Sequence, residues 1–232
     1  MSKPIKLSYY SDLLCVWAYV SQIRLDELIK QHGSKLQIEY HFVSIYGSTE
    51  QRITKGWQQR GGIEAYADWV LAMKENYPHV LIHPGVWREC MPKTSSMGHL
   101  FLKAVQILEQ RGLIPTAQSS ECKKSIFEDL MWRIRCAFFE KAQDIGELMV
   151  LYELAESMNL PVSELQRLIN DGSAMAALSE DMALKERHQI EGSPSYLLND
   201  GRQKLYGNVG YRVIEANVLE LLENPEGQAS WC

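Results

Sequence analysis

The chain has 232 residues, enough for one large domain or two small ones. Apolar residues make up 46 % and charged residues 23 %, which is the balance of a folded globular protein and excludes wholesale disorder. The net charge of −5 comes without any basic cluster, which argues against a nucleic-acid surface. The longest apolar run, the eight residues from Leu13 to Val20, is less than half a membrane span. Met1 to Tyr10 has no signal-peptide core, so a cytoplasmic protein is expected, with no membrane partner.

Ile5, Leu7 and Tyr9 alternate with Lys6, Ser8 and Tyr10, the period of a strand. Cys15 to Gln31 carries apolar residues near helical spacing, and Gly33 is the expected stop. Leu36, Ile38, Tyr40 and Phe42 then give a second strand, and the connection is long enough for the pair to be parallel. From Gly47 to about Asn159 only helical patterns appear. They are anchored on Ile63 to Val70, Met97 to Leu108, Ile126 to Phe138, and Leu148 to Met158. Asp144 and Glu147 stand ahead of the last of these at capping-box spacing. Trp69, Met73, Met131, Trp132 and Phe139 read as core.

Pro161 to Gly172 and Ser173 to His188 give two more short helices. Ser195 to Asn199 and Gln203 to Tyr206 read as a hairpin turning at Asp200-Gly201, and Val213 to Leu222 as a closing helix. Asn224 to Cys232 reads as a frayed tail. The succession is β-α-β, a block of helices, then α-β-β-α. With the block removed, this is the order of a thioredoxin-like α/β fold. The expected division is therefore a discontinuous thioredoxin-like domain, 1–46 and 173–232, interrupted by an all-helical insertion domain, 47–172.

Five cysteines are present, at 15, 90, 122, 136 and 232, and no two share a C-x-x-C spacing, so neither a disulfide framework nor a structural zinc site is expected. His79, His83 and Cys90 fall in one loop but fit no closed zinc pattern, and no metal is expected. Cys15 is different, because it stands where the first strand meets the first helix. There, unpaired backbone N–H groups and the positive end of the helix dipole favour thiolate over thiol. On that argument its pKa should fall below the ordinary value of about 8.5, giving a nucleophile for disulfide exchange or glutathione chemistry. The competing reading is a buried cysteine acting as a small hydrophobe. Asp12, three residues earlier, reads as a helix cap or a proton-transfer group, and Trp17 as core or as the roof of a pocket.

Gly192-Ser193-Pro194-Ser195 opens the late strand. A cis bond before Pro194 would expose the Ser193 backbone N–H and C=O to an extended ligand, whereas a trans proline would merely end the preceding helix.

Tyr10-Ser11-Asp12-Leu13-Leu14-Cys15-Val16-Trp17-Ala18-Tyr19 resembles the active-site segment of DsbA-like proteins of the FrnE type, Y-S-D-x-x-C-P-W-C-Y. Gly192 to Ser195 resembles the same family's cis-proline loop. The resemblance covers the chain in order and implies a thioredoxin fold with a helical insertion and a catalytic thiol, Cys15, beside Pro194. Relatives of this architecture include kappa-class glutathione transferases and 2-hydroxychromene-2-carboxylate isomerases.

By that likeness Ser11, Trp17, Ser193 and Pro194 are candidate substrate or glutathione contacts. Asn208 and Tyr211 join them from the Tyr206 to Arg212 turn, and the resemblance also allows a homodimer. Two departures stand out: the family's motif proline is Val16 here, and its second cysteine is Ala18. A dithiol oxidase releases its product with that second thiol, so a single-thiol oxidoreductase completed by glutathione or another small thiol is the first expectation. Glutathione would then be a co-substrate, with no tightly bound cofactor. A glutathione-dependent transferase or isomerase is the second expectation, and a non-catalytic binding module the third.

Overall fold

The computed structural model describes residues 4–116 and 124–223; the expected frayed tail, and with it Cys232, lies outside the described residues, as does Cys122. Strand β1, Ile5–Ser11, leads through a short loop into helix α1, Val16–His32, and strand β2 follows at Leu36–Phe42. Helices α2 (Gly62–Leu71), α3 (Met73–Asn76), α4 (Ser96–Gln110) and α5 (Ile126–Phe139) come next. They are followed by α6 (Leu148–Ser157), α7 (Val162–Asn170) and α8 (Ser173–Arg187). Strands β3 (Ser195–Leu198) and β4 (Gln203–Tyr206) form a hairpin, and α9 (Tyr211–Glu223) closes the described chain.

The sheet order is β2-β1-β3-β4, with β1 parallel to β2 and antiparallel to β3, and β3 antiparallel to β4. β1 is therefore interior, and its alternation serves two layers at once. Ile5, Leu7 and Tyr9 pack with Leu25 and Leu28 of α1 and with Ile214, Val218 and Leu221 of α9. Tyr10 points the other way, among Val43, Ile190 and Leu197, with Leu184 of α8 against them. A larger core joins the loop between β1 and α1, and α1 itself, to the helices between β2 and β3. The hairpin turn departs from the two-residue form, because Asn199, Asp200 and Gly201 all take positive φ.

The capping-box expectation for Asp144 and Glu147 is corrected. Glu147 precedes α6 without a side-chain cap, and Asp144 instead accepts the Gly146 N–H at 2.7 Å. The capping box belongs to α5, where Ser125 and Glu128 bond reciprocally to each other's backbone.

The end of β2 is fixed to the helices by one buried ionic cluster. The Asp181 carboxylate of α8 pairs with His41 Nδ1 at 2.8 Å and accepts from Lys103 Nζ at 3.1 Å and Phe42 N–H at 2.9 Å. His41 in turn stacks on Tyr10, with ring centroids 4.7 Å apart.

Candidate active site

The loop between β1 and α1 has its amides fixed one by one. Asp12 N–H donates to Ser193 Oγ at 2.8 Å, Leu13 N–H to His99 Nε2 at 3.2 Å, and Leu14 N–H to Asp12 Oδ1 at 2.8 Å. Asp12 Oδ2 accepts from Tyr46 N–H and Ser95 Oγ, both at 2.8 Å. Asp12 is fully buried, and it ties the loop to the segments after β2 and before α4 instead of capping α1. Because His99 Nε2 accepts a hydrogen bond, its ring is neutral with the proton on Nδ1, and burial holds its pKa below the ordinary histidine value against the pull of Asp12. Gly98 lets α4 approach this loop: a Cβ there would lie 2.7 Å from Leu13 Cδ1.

Cys15 is the N-cap of α1. Its Sγ–H donates to the Ser193 carbonyl at 3.2 Å, and the Ser193-Pro194 peptide is cis. The Pro194 carbonyl accepts from Gly207 N–H at 2.8 Å, which joins this turn to the end of β4. The thiol is only 4 % exposed, and burial raises its pKa above the ordinary cysteine value. Ser193 and the Ala18 and Trp17 N–H groups pull in the other direction, while the Asp12 charge adds to the rise. The expectation of a depressed pKa is therefore corrected. The helix N-terminus contributes as argued, but desolvation outweighs it in this closed state. The Ser193 carbonyl is likewise not open to a ligand, since the Cys15 thiol holds it.

The helices after β2 supply an aromatic wall. Trp17 is half-buried and packs edge-on against Trp69 and Tyr77, with centroids 5.8 and 6.2 Å apart. The Tyr46 and Tyr66 hydroxyls bond to each other, and both phenols lie close enough to Cys15 for its charge to raise their pKa. A polar bridge spans the two sides: Arg24 Nη1 donates to Asn208 Oδ1 and to the Val209 carbonyl, and Asn208 Nδ2 donates to the Tyr77 hydroxyl.

Cys15, Ser193 and Pro194 are thus brought together, and Asn208 reaches the same wall as Trp17 through Tyr77. Ser11 is corrected as a ligand contact, because its buried hydroxyl accepts from Arg135 Nη2 at 2.9 Å inside the protein. Tyr211 is half-buried, donates its hydroxyl to Glu215 within α9 at 2.7 Å and packs its ring in the α1–α9 layer. Cys90 and Cys136 are free thiols pushed up to about 12 by burial. His79 Nε2 meets the Val20 carbonyl at 2.9 Å, and His83 Nδ1 accepts from Gly85 N–H. Among the described residues no group of three His, Cys, Asp or Glu is arranged to hold a metal.

Sequence reading missed Tyr46, Tyr66, Ser95, His99 and Arg135. Each lies on an element distant in sequence from Cys15, and none stands in a motif.

Residues 116–218 match the family model of the DSBA-like thioredoxin domain. The chain has a DsbA-like thioredoxin fold. A probable DsbA oxidoreductase from Streptomyces coelicolor superposes with a TM-score of 0.69 at 16 % identity, covering 98 % of this chain and 93 % of that one. The cytosolic disulfide reductase DsbM from Pseudomonas aeruginosa gives 0.60 at 18 % identity, covering 93 % and 99 %. A 2-hydroxychromene-2-carboxylate isomerase gives 0.63 at 12 % identity, covering 95 % and 97 %. No curated protein matches the chain. Among the described residues, no helix is long and apolar enough to cross a membrane.

Proposed function

We propose that this protein is a thiol-disulfide oxidoreductase that works through the single thiol of Cys15, with glutathione as co-substrate, in the cytoplasm. The observation that carries the reading is the Cys15 Sγ–Ser193 carbonyl contact beside Pro194 at the N-terminus of α1. The position of Ala18, buried one turn into the helix where the family's second thiol stands, supports a single-thiol cycle. DsbM, similar in fold, has also been solved with GSH.

The Cys15 thiolate attacks the glutathione sulfur of a mixed disulfide, forming Cys15–S–S–glutathione and releasing the substrate thiolate, which takes a proton from water. A second glutathione thiolate then attacks the glutathione sulfur of that adduct. Oxidised glutathione leaves and the Cys15 thiolate is regenerated, so one glutathione thiol is consumed and the mixed disulfide ends as the substrate thiol and oxidised glutathione. The raised thiol pKa fits a site that forms its thiolate when a ligand displaces Cys15 from the Ser193 carbonyl. That carbonyl and the Ser193 N–H then become available to an extended substrate. Trp17, Ser193, Pro194 and Asn208 are the contacts proposed for substrate or glutathione. Residues 47–172 are proposed to act as the inserted helical domain that supplies the wall of the cleft.

The test is turnover of a glutathionylated peptide with reduced glutathione. Turnover that disappears in Cys15→Ser supports the reading, and turnover that survives it sinks the reading. The aromatic wall of Trp17, Tyr46, Tyr66 and Trp69 favours one second reading, a glutathione transferase or isomerase for aromatic substrates. Glutathione-dependent conversion of an aryl halide or a chromene carboxylate, with no reduction of mixed disulfides, would select it.

A further inference from the structure

Arg135 lies on α5, and its side chain is fully buried. Such a charge is expensive to bury unless a carboxylate meets it. Among the described residues none does: Nη1 donates to Gln22 Oε1 at 2.6 Å, Nη2 donates to Ser11 Oγ at 2.9 Å, and Nε has no partner. The fully buried phenols of Tyr9 and Tyr196 face each other across β1 and β3, and Arg135 pulls the Tyr9 pKa down against the effect of burial. The two acceptors are informative. Ser11 ends β1, four residues before Cys15, and Gln22 lies on α1, about two turns after it. One guanidinium therefore braces both arms of the strand-to-helix junction that presents the thiol.

We propose that Arg135 is a positioning residue for Cys15: its guanidinium fixes the junction through Ser11 and Gln22 and supplies, in the buried interior, the positive charge that a thiolate there requires. The proposal rests on Cys15 being the nucleophile. The nearest polar neighbours of the thiol offer no compensating charge. Asp12 is negative, His99 is neutral, and Tyr46, Tyr66 and Ser193 are uncharged. Lys103, the other buried cation, is neutralised by Asp181. Tyr9 shows that the field of Arg135 reaches this region, since its phenol feels both Arg135 and Cys15, with opposite effects. His99, beside Asp12, also feels Arg135.

The experiment measures iodoacetamide alkylation of Cys15 in the full-length chain as a function of pH, read on the Cys15 peptide by mass spectrometry. Arg135→Met is expected to slow alkylation at pH 7.5 about ten-fold and to move the midpoint of the profile upward by about one unit. Arg135→Lys, which keeps the charge, is expected to restore the rate to within about three-fold.

Gln22→Glu combined with Asp26→Asn places a carboxylate against the guanidinium. It also preserves the hydrogen bonds from Arg135 to Gln22 and between Gln22 and Asp26, the second of which is 2.9 Å long. A purely structural role for Arg135 leaves the alkylation profile of this double variant unchanged. The proposed role slows it about ten-fold relative to Asp26→Asn alone, the single variant that shares the loss of the 2.8 Å Lys124–Asp26 ion pair. Should Arg135→Met fail to fold, the double variant decides alone. A double-variant profile superimposable on that of Asp26→Asn overturns the proposal. Failure of the nucleophile reading is distinguishable, because Cys15→Ser would then retain turnover while the alkylation profile still reports on the Arg135 charge.

Discussion

Two buried polar regions of this chain are built on opposite rules. At the end of β2, Asp181 meets His41, Lys103 and the Phe42 amide within 3.1 Å, so its charge is answered on three sides. At the junction of β1 and α1, no opposite charge among the described residues pairs with the buried groups: a guanidinium with no carboxylate, a carboxylate held by amides and a hydroxyl, a neutral histidine, and a thiol. A satisfied cluster specifies structure and has little left to do chemically. An unsatisfied one costs stability, and such sites are where shifted titrations and reactive groups concentrate.

The sharpest way to break the comparison is to empty the satisfied cluster. Asp181→Ala leaves His41 and Lys103 without their shared acceptor and should cost about 3–5 kcal/mol of unfolding free energy in urea. The alkylation rate of Cys15 in the folded fraction should not change. A large change in that rate would mean the two regions are coupled. Next in size is Gly98→Ala, which sets a Cβ against the fully buried Leu13. It should cost about 1–3 kcal/mol in the same urea titration and, unlike Asp181→Ala, should also alter Cys15 reactivity.

The His99 ring distinguishes the regions by pH. Because burial lowers its pKa, the folded chain holds fewer protons than the unfolded chain as pH falls below about 6.5. Stability contributed by the neutral ring is present above that pH and is lost below it, at up to about 1.4 kcal/mol per pH unit. This contribution should be missing in His99→Gln, as read from the difference between the two proteins' urea midpoints from pH 5 to 7. The smallest effect is expected from Asn208→Ala, which removes the exposed bridge between Arg24 and Tyr77. It should cost under about 1 kcal/mol, while thiol trapping by iodoacetamide speeds up several-fold as the cleft opens more often.

The fold was legible because its signals are local. Alternation in Ile5 to Tyr9 and Leu36 to Phe42, helical spacing through the middle and the late hairpin all depend on neighbours within a few residues. Cys15 and Pro194 each stand at a boundary between elements, which left a buried cysteine and a trans proline as open alternatives, and only the family resemblance joined the two. The electrostatics were not legible. The thiol pKa depends on how completely Tyr46, Tyr66 and the Ser193 turn exclude water, and those groups come from segments 31 to 178 residues away. Ser11 reads as a ligand contact because it sits in the motif, but its hydroxyl points inward to Arg135, a residue that only tertiary packing brings there. Asp144 and Glu147 show the limit of a short motif: the spacing was present, yet the turn before α6 used Asp144 for its own Gly146 amide.

The central proposal is that Cys15, alone among the described thiols, is set up for exchange. Incubation with oxidised glutathione followed by peptide mass spectrometry tests it most directly. The account predicts a single glutathione on Cys15, removed by reduced glutathione, with Cys90 and Cys136 unmodified in the folded protein. Modification distributed over Cys90, Cys122, Cys136 or Cys232 with Cys15 unmodified would contradict it.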